Sequence, residues 1–305
     1  MFQLIRNDMN IPFVKYRWFG FILSGILVSL GVIALVQIAR GQARMGVDFG
    51  GGTAMEIEFE KPITADALRK ATRADEFQDV TIQNVTDPGR YKYMIRLFSP
   101  TLETGQVSTR LIEVVRANVP DNPVALLSSE DVGPGVSAKL REQALLAVFW
   151  AMVGILVYIW WRFDFRFAVA ATAATVHDVL AVLGIYFLMG NEINLLLITA
   201  LLTIAGYSLN DTVVVFDRIR ENLRHNRKED YVVLANTSIN QTLSRTIITA
   251  LATLFVVVSL FFLGGEVIHP FATAMMIGMF VGTYSTIFVA GNMLAEWHMR
   301  SPVRR

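Results

Sequence analysis

The chain has 305 residues, 53% of them hydrophobic and 17% charged, with a mean hydropathy of +0.46. A soluble domain carries about 25% charged residues, so much of this chain is expected in lipid. A net charge of +1 offers no basic field for nucleic acid, and the absence of cysteine excludes disulfides, thiol nucleophiles and cysteine metal sites.

Crossing a hydrocarbon core takes about 20 mainly apolar residues. The first such run, Trp18–Ala39, follows a short segment, residues 1–17. It is longer than the roughly 7–15-residue core of a signal peptide and reads as an uncleaved anchor. Gly50, Gly51 and Gly52 come soon after it. A phosphate cradle would need Gly-Lys-Ser/Thr at fixed spacing, which is absent, so the cluster reads as a tight turn.

Residues 40–142 then read as a separate α+β domain. Thr53–Glu60 alternates apolar and acidic residues, as a half-buried strand does. Thr64 is placed to cap a helix presenting Ala67, Leu68 and Ala71 on one side. Asp79–Thr86 and Tyr91–Phe98 read as strands joined through Asp87, Pro88, Gly89 and Arg90. Val107, Leu111, Val114 and Val115 share a helical face, and Val124–Leu127 restarts a strand. The order β-α-β-β-α-β predicts a ferredoxin-like domain. Gly133 and Gly135, around Pro134, are candidate hinges into the next span, matching Gly50, Gly51 and Gly52 at the other end.

Residues 143–297 hold the other five apolar runs, Leu145–Trp161, Phe167–Met189, Leu195–Phe216, Thr246–Leu263 and Phe271–Trp297. The fold class predicted is a polytopic six-helix membrane bundle with one α+β domain inserted between spans one and two. Arginine and lysine accumulate in residues 1–17, around Arg162 and Arg166, in the connector 218–243 and in the tail 298–305. The short loops around Asn191 and Glu266 have neither, so the positive-inside rule puts both termini in the cytoplasm and residues 40–142 outside. The basic, amphipathic connector is expected to lie along the membrane surface.

Ionisable groups inside spans cost on the order of 2.5–3.5 kcal/mol at the helix centre, so each is a functional candidate. Span three carries His177 and Asp178, which fit either a helix–helix hydrogen-bond site or a proton relay. Span four carries Ser208, Asn210, Asp211 and Thr212, and ends in Asp217 and Arg218; the last two read as an interfacial pair. Thr242, Arg245, Thr249 and Thr253 form a stripe on span five. If that stripe faces Ser208 and Asp211, then Asp211 pairs with Arg245; alternatively Arg245 snorkels to the cytoplasmic edge. Gly278, Gly282, Thr286 and Ala290 follow a small-xxx-small pattern, which marks close helix packing.

Residues 206–222 (GYSLNDTVVVFDRIREN), 46–52 (GVDFGGG), His177-Asp178 and 238–246 (SINQTLSRT) together resemble the SecF family, membrane subunits of the bacterial SecD–SecF protein-export machinery in the resistance-nodulation-division superfamily. The resemblance runs over essentially the whole chain. It implies a bundle that pairs with SecD, associates with the SecYEG channel, and acts on a translocating polypeptide. It also implies drive from the proton-motive force, with H+ as coupling ion and no bound cofactor. Asp211 and Arg245 match the family's proton pathway. A passive assembly factor and half of a small-molecule exporter are the rival readings. An enzyme is disfavoured, because no nucleophile–base–orienter set appears.

Overall fold

The computed structural model describes residues 10–73, 77, 80–87, 89–97, 106–226 and 229–301. Asp79, Pro88 and Phe98, named above, and parts of the segments 1–17, 218–243 and 298–305 lie outside the described residues. The chain divides into two compact units, one helical and one built around a sheet (residues 45–145 and 193–195).

In the helical unit, α1 (Arg17–Ala39) is stopped by Gly41, whose φ of +69° only glycine takes freely. The Gly41 amide donates to the Ile38 carbonyl and the Gln42 amide to that of Gln37, closing a Schellman cap. It is followed, after the sheet domain, by α5 (Pro134–Arg162), α6 (Phe165–Leu188), α7 (Leu195–His225) and α8 (Tyr231–Leu263). The final span is composite: α9 (Gly265–Ser285) passes through a π-helical turn, Thr286–Ala290, into α10 (Gly291–Arg300). Among the described residues, six helices are long and apolar enough to cross a membrane. The last begins earlier than expected, at Gly265, with Pro270 inside it.

Glycines set how closely the helices approach. A Cβ on Gly31 of α1 would stand 2.3 Å from the Leu180 carbonyl oxygen of α6, and one on Gly184 only 2.5 Å from the Gly31 nitrogen. The small-residue stripe of α9 packs on α7 as expected. Gly278 meets Ile204, Gly282 meets Ser208, and the Thr286 and Thr212 hydroxyls lie 3.3 Å apart. Toward one end of the unit Phe163, Phe167 and Phe216 interlock at centroid distances of 5.2–6.2 Å.

Residues 218–243 depart from expectation. Residues 218–225 and 231–243 are the ends of α7 and α8, continued past the apolar runs, rather than a separate connecting helix. Side-chain pairing explains the continuation. The Asn222 amide donates to Ser238 Oγ (2.8 Å) and Gln241 Oε1 (2.9 Å), and Arg218 Nε donates to the same Gln241 oxygen (2.6 Å). Asp230 caps α8 by accepting from the Val232 amide. Asn240 then holds the N-terminal segment in place, exchanging two 2.9 Å bonds with the Ile11 backbone.

The second unit contains α2 (Val47–Gly50), β1 (Gly52–Phe59), α3 (Ala65–Arg73), β2 (Thr81–Asp87), β3 (Arg90–Leu97), α4 (Gln106–Asn118) and β4 (Val124–Val132). All strand pairs are antiparallel, in the order β2-β3-β1-β4. Met55, Ile57 and Phe59 point into a core completed by Leu68, Ile95 and Leu111, while Glu56 and Glu58 face outward. Thr64 caps α3 through the Ala67 amide (3.2 Å), yet Ala67 itself is exposed, and Leu68, Ala71 and Thr72 form the buried face.

The glycine clusters resolve residue by residue. Gly51 (φ +76°) and Gly52 (φ +111°) make the turn, whereas Gly50 is the last residue of the short helix α2. Gly133 is the single residue between β4 and α5, and Gly135 lies in the first turn of α5, so its backbone is helical. The Asp48 carboxylate accepts from the Leu195 amide at 3.0 Å, giving the first residue of α7 an acceptor of suitable charge.

Replacing Gly184 with alanine forces backbone apart and is expected to cost about 1–3 kcal/mol, as overpacking does. Gly25→Ala, with nothing within 4 Å of the new methyl, is expected to stay within about 0.5 kcal/mol of the parent. Unfolding midpoints in detergent test this; equal midpoints for the two variants would refute the close α1–α6 approach.

Candidate functional site

Lipid supplies no hydrogen bonds, so polar side chains in the spans must find partners among themselves. Asp178 on α6 is fully buried and has three hydrogen-bond partners. Ser208 Oγ of α7 donates to Oδ2 at 2.5 Å, Ser285 Oγ of α9 donates to the same oxygen at 2.8 Å, and His177 Nδ1 lies 2.9 Å from Oδ1. One carboxylate therefore joins three helices. The node sits just before the π-helical turn, a feature frequent at functional sites in helices. Tyr284 flanks the His177 ring at 6.1 Å, and its hydroxyl donates to the Gly20 carbonyl of α1 at 2.6 Å.

Asp211, one turn beyond Ser208, is also buried, at 3% exposure, but it turns toward α8. Its hydrogen bond comes from Thr249 Oγ1, at 3.4 Å and therefore weak. The expected direct pairing with Arg245 is not formed among the described residues. Thr249 stands between them, lying 3.1 Å from the Arg245 backbone carbonyl, while the Arg245 side chain is exposed. Thr242 and Thr246 take the inward positions of α8 and so turn Arg245 outward.

The two stripes therefore do not face one another as whole units: Ser208 serves α6 and α9, and Asp211 serves α8. Asn210 is exposed on α7 and takes no part in the node. Asp217 does not pair with its neighbour Arg218; both its carboxylate oxygens accept from Arg162 of α5, at 3.1 and 3.2 Å. Arg218 instead bonds Glu221 and Gln241. His177 has a second feature: its Nε2 atom is buried without a hydrogen-bond partner.

Residues 113–300 match the family described as protein export membrane protein SecD/SecF, C-terminal. The chain is 43% identical over 307 residues to protein translocase subunit SecF of Thermodesulfovibrio yellowstonii, covering 100% of both. The chain belongs to the SecF family. It is 39% identical to SecF of Vibrio alginolyticus over 95% of this chain and 90% of that one. Protein translocase subunit SecDF of Thermus thermophilus is 38% identical over 97% of this chain, which corresponds to 40% of the longer protein. A crystal structure of SecDF from Thermus thermophilus, titled a translocon-associated membrane protein, superposes with a TM-score of 0.85 at 36% identity, over 97% of this chain and 40% of that one. A second SecDF structure, in a super-membrane-facing form, gives 0.70 at 38% identity, over 98% and 40%.

For this SecF-family chain, sequence reasoning singled out Asp178 and Ser208 but missed Ser285, the third corner of their node. Ser285 adjoins Thr286 in the small-residue stripe, where a buried serine reads as packing. The usable signal was an in-span carboxylate needing more donors than one neighbouring helix supplies. Arg162, the partner of Asp217, was read only as a topological charge.

Asp178→Ala would leave Ser208, Ser285 and His177 without their acceptor. We expect it to destabilise the protein by about 1–3 kcal/mol, the cost of buried unpaired groups. Asp217→Ala removes a surface pair and should cost less than about 1 kcal/mol. Thermal or denaturant unfolding of the purified variants measures both; comparable losses would show that the Asp178 node does not hold its three helices.

Proposed function

We propose that this chain is the SecF-type accessory subunit of the Sec protein translocase in the bacterial cytoplasmic membrane. In this reading it acts with SecD and uses the proton-motive force to promote export through SecYEG. Its role is transport rather than catalysis. Full-length identity to SecF proteins supports the translocase role, and the single SecDF chain of Thermus thermophilus supports SecD as partner. The charge distribution favours cytoplasmic termini and an exported domain at residues 40–142. The strand order of that domain favours the ferredoxin-like arrangement.

The observation that carries the coupling mechanism is the contrast between the two buried aspartates. Asp178 is held by two serine hydroxyls and the His177 imidazole, whereas Asp211 has one long contact. A carboxylate with few partners in a low-dielectric interior is free to change protonation state at little structural cost. In the proposed cycle Asp211 takes up H+, its attraction to the α8 segment carrying Thr249 and Arg245 changes, and α7 and α8 repack. Gly51 and Gly52 at one end of the sheet domain and Gly133 at the other then let that domain swing and bias the polypeptide outward. Moving one charge across the membrane field yields about 2.3 kcal/mol per 100 mV, enough to shift a two-state equilibrium. No bound cofactor enters the cycle.

A SecF-depleted strain complemented with Asp211→Asn tests the reading, with export of a secreted reporter scored with and without an uncoupler. The expected result is export reduced to its uncoupled level, at normal protein abundance and normal SecD association. Undiminished, uncoupler-sensitive export would instead favour a passive assembly role and defeat the mechanism.

A further inference from the structure

His177 lies on a groove of about 440 Å³ between α1, α5 and α6. The walls are mostly aliphatic: Val28, Leu156, Val169, Ala173, Val176 and Leu180. Two polar side chains, His177 and Thr172, complete the lining with their polar atoms set back from its surface. His177 Nε2, on a side chain only 5% exposed, and Thr172 Oγ1 are both buried and have no hydrogen-bond partner. The opposite face of the same imidazole meets Asp178, with Nδ1 2.9 Å from Oδ1. The ring therefore separates the groove from the carboxylate that joins α6, α7 and α9. Whichever nitrogen carries the proton, Nε2 is left wanting a partner.

We propose that this groove holds water, and that His177 passes protons between that water and Asp178. The His177–Asp178 pair then forms a second protonation site, distinct from Asp211. Water fits the two polar atoms, because a buried water requires two or more such partners. A lipid acyl chain would fill the aliphatic walls but leave both atoms unsatisfied at a cost. Uptake is a balanced transfer. A proton carried in as hydronium passes to Nε2 and leaves neutral water, the Nδ1 proton moves to Asp178 Oδ1, and the ring ends as the Nε2–H tautomer beside a neutral carboxyl group. Ser208 and Ser285 donate to Oδ2 in both states, so the three helices stay joined while the charge changes.

The ionisable groups around the pair are few. Tyr284 of α9 faces the imidazole, and its hydroxyl is engaged with Gly20 and Ser24 of α1. On α7, Asp211 lies one turn beyond Ser208 and turns to Thr249. What α1 and α5 present to the groove is Val28 and Leu156.

Solid-state NMR of the full chain in lipid bilayers, with histidine labelled in 13C and 15N, tests the proposal without any export assay. The outcome is therefore separable from the role of Asp211. His177→Gln assigns the signal among the four histidines. We expect magnetisation to pass from water to the His177 ring, and its ring N–H protons to exchange with that water. Ala173→Leu, which fills the groove and leaves the Asp178 bonds intact, should abolish the water transfer. A ring in contact with acyl chains alone, or ring N–H protons that do not exchange with water, overturns the proposal.

Discussion

The arrangement of the helical unit depends on one requirement: Asp178 must be hydrogen-bonded in a medium that offers no water. Ser208 and Ser285 meet it from two different helices, which fixes α7 and α9 against α6 in both rotation and height. Because both hydroxyls reach the same oxygen, α7 and α9 must also approach one another, and Gly282 makes room by facing Ser208 without a side chain. The paired approach of α1 and α6 through Gly31 and Gly184 completes the inner helices. Close packing here follows from polar geometry as much as from apolar contact.

Fixing Ser208 also fixes Asp211. The two are three residues apart, about 300° around a helix, so a side chain aimed at α6 leaves its neighbour on the flank facing α8. There Asp211 meets a threonine rather than a base, and at a distance that holds it loosely. A bundle whose packing already rests on Asp178 can tolerate a loosely held second carboxylate, because little of the packing depends on it. The Asp178 node, Ser285 adjoining the π-helical turn and the Thr212–Thr286 contact place closely bonded structure directly beside the single long contact of Asp211 with Thr249.

The sequence disclosed hydropathy and alternation well, and long-range pairing poorly. Apolar runs revealed the six spans, and strict alternation with a cap at Thr64 revealed β1 and α3, because these signals are local. Helix ends were misread at residues 218–243, since hydropathy stops at Phe216 while the helix continues on Asn222, Gln241 and Ser238, whose pairing appears only once α7 and α8 lie together. The glycine run at residues 50–52 was legible as a turn, but the partner of neighbouring Asp48 was not, being the amide of Leu195. In the candidate site, the identity of the polar residues was readable, whereas the choice between Arg245 and Thr249 as the partner of Asp211 depends on a rotation of α8 that no periodicity specifies.

That rotation also leaves a charge without a carboxylate partner among the described residues. α8 is the least enclosed of the helices together with α5, and it carries Phe255, Val256 and Phe262 outward as lipid or another helix would require. Arg245 lies on the same helix with its guanidinium exposed and no carboxylate of this chain paired to it among the described residues. Arginine is effectively always charged, and an exposed cation within a span is expensive unless it reaches an interface or meets a partner. On its inner side the same helix sets Thr249 between the Arg245 backbone carbonyl and the Asp211 carboxylate. The least enclosed flank of the bundle is therefore also the one where a buried acid and an exposed base are separated by a single threonine, so any rotation of α8 alters both environments together.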